Sequence, residues 1–155
     1  MDMSKMFIGI CVVAFAAISC SHQSGVQEKE VGDFVFKLRR IESTEENKNP
    51  ILQFVLELSV KDKSQDLVKF LCYKSGWSEQ EVLYYLSYQF QNDIYMVNDG
   101  QKFKPELFHF ERSFDLKTQR TINLGFLLKA PVAIQLNIDS ELFNVGIVKI
   151  ELRDA

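Results

Sequence analysis

The alternation of side chains between positions 51 and 61 leaves this chain few choices of fold. Leu52, Phe54, Leu56, Leu58 and Val60 hold the even positions, while Gln53, Glu57, Ser59 and Lys61 fall among the odd ones. A two-residue period puts every second side chain on one face of a strand, so this segment needs a sheet with one buried side. The same period recurs in Phe34, Phe36 and Leu38, in Ile122, Leu124, Phe126 and Leu128, in Val132, Ile134, Leu136 and Ile138, and in Val148, Ile150 and Leu152. A polar loop at 42–50 and the pair Ala130-Pro131 separate some of these segments. Asn98-Asp99-Gly100 predicts a tight hairpin, because these residue types tolerate positive φ. The returning strand would carry Phe103, Leu107, Phe108 and Phe110, with Pro105 confining it to an edge or a bulge.

Residues 78–96 carry two conflicting signals. Ser78-Glu79-Gln80-Glu81 fits a capping box at a helix start. Against it, Val82, Tyr84, Leu86, Tyr88, Phe90, Ile94 and Met96 keep to even positions, broken only by Asn92. The aromatic content predicts a long strand bulged near Asn92, preceded by at most one helical turn. The shorter apolar run at 67–74 ends at Lys74-Ser75-Gly76. Seven or eight strands joined by short polar turns predict an all-β antiparallel sandwich, immunoglobulin-like or transthyretin-like, since parallel strands need longer crossovers.

The N-terminus speaks to location. Lys5 precedes an apolar run from Phe7 to Ile18, followed by Ser19 and Cys20. A helix of about a dozen residues spans ~18 Å, too short for a ~30 Å hydrocarbon core, and reads as a signal peptide. Ala17-Ile18-Ser19-Cys20 resembles the lipobox of bacterial lipoproteins, although Ala17 stands where that motif usually has leucine. The resemblance implies cleavage before Cys20 and a lipid anchor on its sulfur, and Ser21 in the next position implies sorting to the outer membrane. The expected organisation is a signal peptide at 1–19, a lipidated cysteine and flexible tether at 20–32, and one folded domain at 33–155. In layout such a protein is similar to the small sandwich lipoproteins that anchor secretion machines, which implies an envelope-protein partner.

Composition narrows the function classes. The chain has 18 basic and 21 acidic residues, and cleavage would remove Lys5 and Asp2, so the net charge stays at −3. Arg39-Arg40 is the only adjacent basic pair, far short of an electrostatic footprint for nucleic acid. Cys11 would leave with the signal and Cys20 would be lipidated, leaving Cys72 as the one free thiol and no intramolecular disulfide. Stability must then come from an apolar core, and 13 Phe can supply one. Cys72, between Leu71 and Tyr73, reads as a small buried hydrophobe.

Candidate catalytic residues are sparse. His22 falls in the tether, and His109 with Glu111 gives at most two metal ligands where zinc wants three or four. His109 is expected to be half buried beside an ion pair. Cys72 with His109 lacks a third group to orient the base, and there is no glycine-rich phosphate loop. We therefore expect no enzymatic activity, no metal site and no cofactor. Binding is better supported: Trp77 in a loop, with Tyr85 and Tyr95 on the odd face of the predicted strand, would form an amphipathic patch for a protein, glycan or peptide. The alternatives are that the strand is central and buried on both faces, or that the rings cover the sheet singly.

Overall fold

The computed structural model describes residues 25–41, 51–112, 118–128 and 134–152. The signal peptide, the motif at 17–20 with its Cys20, and the acidic loop at 42–50 lie outside the described residues. Among the described residues nine strands, rather than the seven or eight expected, build two antiparallel sheets, the expected sandwich. They are β1 (Val26–Val31), β2 (Phe34–Ile41), β3 (Ile51–Val60), β4 (Ile94–Asn98), β5 (Gln101–Phe103), β6 (Leu107–Phe110), β7 (Gln119–Leu127), β8 (Ile134–Ile138) and β9 (Val148–Leu152). The five-stranded sheet runs β1-β2-β3-β7-β6 and the four-stranded sheet β5-β4-β8-β9.

The even positions read from the sequence form the core. Phe36, Leu38, Phe54, Leu56, Ile122 and Phe126 point inward from the first sheet, against Ile94, Met96, Leu136, Ile138 and Ile150 from the second. Register enforces this, because a one-residue slip of β3 against β2 or β7 would turn its whole apolar set outward. The hairpin forms as expected. Asp99 (φ 48°) and Gly100 (φ 73°) both adopt the left-handed region between β4 and β5, matching the twist of the paired strands.

Three expectations are corrected. The predicted tether at 20–32 is a strand for half its length: β1 pairs with β2 from Val26↔Arg39 to Val31↔Phe34. Its Gln27-Glu28-Lys29-Glu30 has no apolar side chain to bury, but backbone pairing at a sheet edge does not require one. The returning strand after the hairpin is divided. β5 stays in the second sheet and β6 joins the first, with Pro105 between them where no ladder donor is needed.

The third correction is the largest. Apart from the linker at 76–78, residues 67–93 are helical: α1 (Leu67–Ser75), α2 (Glu79–Tyr84), a π-helical turn (Tyr85–Gln89) and a 3-10 turn (Phe90–Asp93), and only from Ile94 does a strand begin. The even positions thus divide into two sets. Val82, Leu86 and Phe90 are fully buried, while Tyr84 and Tyr88 are more than half exposed. Burial at every fourth residue is the helical repeat, and a strand would have turned all five inward.

The helices carry their own start and stop signals. Asp66 caps α1, its carboxylate accepting from the amides of Val68 (2.9 Å) and Lys69 (3.2 Å), and Gly76 ends it at φ 75°. Ser78 and Glu81 form the capping box reciprocally. Asp66→Ala is expected to cost about 1 kcal/mol, read as a lower urea midpoint with an unchanged slope; an unaltered midpoint would show that α1 does not depend on its cap.

Candidate binding groove

The helical segment between β3 and β4 closes one end of the sandwich and carries most of the exposed aromatic surface. Leu67, Val68, Leu71, Val82, Leu86 and Phe90 bind it to the core. Tyr73, Trp77, Tyr84 and Tyr88 are left facing outward. The π-helical turn is central to this arrangement: inserting an extra residue into a helical turn shifts the side chains that follow, and such turns recur at functional sites.

One side chain fixes the turn to the sheets. The Tyr85 hydroxyl hydrogen-bonds the carboxylate of Asp93 and the hydroxyl of Ser140, linking the π turn to the approach of β4 and the end of β8. Burial pushes the Tyr85 phenol well above the usual tyrosine range, and the Asp93 carboxylate beside it adds to the effect. Trp77 rests edge-on against the Tyr85 ring, centroids 5.6 Å apart. Tyr85 in turn lies 6.0 Å from Phe90 in the core.

Beside this support lies an open groove of about 1240 Å³. Tyr84 and Tyr88 form one wall, their rings 5.3 Å apart and tilted by 48°. Phe110 and Arg112, at the end of β6, and Arg120 of β7 form the other. The Arg112 guanidinium sits 5.7 Å from the Tyr88 ring centre, and its Nη2 donates to the Tyr88 hydroxyl (3.2 Å) and Ser87 Oγ (3.3 Å). Glu79 and Glu81 lie on the rim, so the groove has both a cationic and an anionic side. Hydrogen bonds from Ser78 hold the Glu81 carboxyl below the usual range, which keeps that rim charged.

The three rings singled out in the sequence do not form one patch. Trp77 and Tyr85 meet, but Trp77 lies outside the groove lining and Tyr85 is half buried as a support. Tyr95 sits on β4, where Lys102 Nζ lies 4.5 Å and Lys104 Nζ 5.9 Å from its ring centre. It makes no ring contact with either of the others among the described residues. Tyr84, Tyr88 and Arg112 were missed. The capping box at Ser78 and Glu81 was the one local signal for a helix here; the spacing of Val82, Leu86 and Phe90 fits a strand as well.

The candidate nucleophile and ligands stand apart from the groove chemistry. Cys72 is half buried on α1, and burial, then the nearby Glu79, push its thiol up, away from the reactive thiolate. His109 is exposed rather than half buried. It pairs across the ladder with Asn123, whose amide donates to Glu111 Oε1 at 2.8 Å. Among the described residues there is no cluster of three or more metal-ligating side chains, and no helix long and apolar enough to cross a membrane. No family model, no curated protein and no solved structure matches this chain.

Proposed function

We propose that this chain is a lipid-anchored, non-catalytic envelope protein that binds another protein through the groove of Tyr84, Tyr88 and Arg112. The observation that carries the reading is the pairing of two tyrosines more than half exposed with an arginine across an open groove. Tyrosine and arginine are enriched where protein partners bind, because a large stiff ring and a planar guanidinium give contact area and directed hydrogen bonds for little lost rotamer freedom. A glycan platform is the second reading, since Tyr84 also presents an exposed ring. It is less favoured because Arg112 already lies over the Tyr88 ring that a sugar would need. The anchor rests on the lipobox resemblance at Cys20.

The test is a crosslinking pull-down from native membranes, comparing the wild type, Cys20→Ala and the double variant Tyr84→Ala/Tyr88→Ala. Removal of two hot-spot rings, together worth at least about 2 kcal/mol, should lower capture of a defined set of envelope proteins by at least about thirtyfold. Cys20→Ala should leave the membrane fraction. Equal capture by the double variant would sink the groove reading, and membrane retention of Cys20→Ala would sink the anchor.

A further inference from the structure

The five-stranded sheet ends at β6, and this edge differs in chemistry from the other three. β1 carries Glu28, Lys29 and Glu30 and lies against β9, so those two edges shield each other. β5 has only three residues, one of them Lys102, with Lys104 directly after it. Charges, proline and short length are the usual guards against unwanted pairing. β6 is also short, at four residues, but Leu107–Phe110 holds no Lys, Arg, Asp, Glu or Pro, and Leu107 is 50% exposed.

Its backbone is also arranged to accept a strand. The Glu111 amide donates to Thr121 O at 2.9 Å, and β6 pairs with β7 in the register His109↔Asn123. Hydrogen-bonded positions therefore fall on odd residues, and Phe108 and Phe110 direct their N–H and C=O away from β7. Among the described residues no hydrogen bond outside the sheet reaches these groups. Unpaired backbone groups of this kind are strong and directional, and they select an extended backbone over any other occupant.

We infer that β6 is a strand-addition site, and that the partner segment is an extended peptide pairing with Phe108 and running past Phe110 into the tyrosine groove. Phe110 belongs to both the edge and the groove, which makes the two surfaces continuous. On the outer face, the partner residue beside Leu107 would be apolar. Further along, a carboxylate would meet Arg112, whose remaining guanidinium donors suit a planar anion. This inference rests on the groove being the partner site.

The probe is a phage-displayed library of random dodecapeptides, selected on the full chain in mild detergent; the tightest member is then synthesised. Binding should weaken at least about tenfold when alternate peptide amides are N-methylated, because every second amide of an added strand enters the ladder. The Phe108 amide should exchange at least about tenfold more slowly in the complex. A selected peptide that requires Tyr84 and Tyr88 but tolerates N-methylation at every position would overturn strand addition and leave the groove reading intact. Failure to select any peptide that prefers the wild type over Tyr84→Ala/Tyr88→Ala would overturn both.

Discussion

Phe143→Ala should lose about 3–5 kcal/mol of unfolding free energy, within the range for buried Phe→Ala and a large share of a typical domain's 5–15 kcal/mol. Phe143 lies in the turn after β8, where Asn144 (φ 50°) takes the left-handed conformation that asparagine tolerates. Its ring meets Phe34 at 5.1 Å, Phe36 at 5.3 Å and Phe90 at 5.6 Å. The first two belong to the five-stranded sheet and the third to the helical segment, so one side chain fills the junction of three units. No neighbour can close the gap without leaving its own partners. Urea denaturation followed by two probes would measure it. A loss below about 1 kcal/mol would mean that the site collapses and refills.

Tyr85→Phe should cost about 1–3 kcal/mol, because it removes the hydroxyl and leaves the buried side of Asp93 and Ser140 without their shared partner. Its pH signature separates this from a packing defect. The Tyr85 phenol is raised in the folded state above its unfolded value of about 10, so the folded protein holds this proton more tightly. Stability is then fully present below pH ~10 and falls as pH rises beyond it, where the unfolded state releases the proton first. The wild type should lose stability above pH ~10 more steeply than Tyr85→Phe. Parallel pH curves would show that this hydroxyl does not fasten the turn.

The sheets were legible because their period survives without context. β2 and β9 bury alternate residues as the sequence indicates, and β3, β7 and β8 keep that period while also burying Val55, Gly125 and Asn137 between the alternating positions. The helical segment was not, because Val82, Leu86 and Phe90 satisfy a two-residue and a four-residue period at once; exposure of Tyr84 and Tyr88, which separates the two, is a tertiary fact. β1 was hidden for a different reason, since an edge strand can be held by its backbone. For the site, Trp77 and Tyr85 are neighbours, although Tyr85 is a fastening rather than a contact surface. Arg112 lay beyond reach because its partnership with Tyr88 spans 24 positions.

The order β1-β2-β3-β7-β6 also sets a timetable for folding. β3 meets β2 through a local connection, but its other neighbour, β7, lies about sixty residues further on, and closing so long a loop is entropically slow. Until β7 arrives, the longest strand among the described residues stands with one flank open. That interval is when the chain is most prone to aggregate, and a holding chaperone would act by covering β3 until its second neighbour docks.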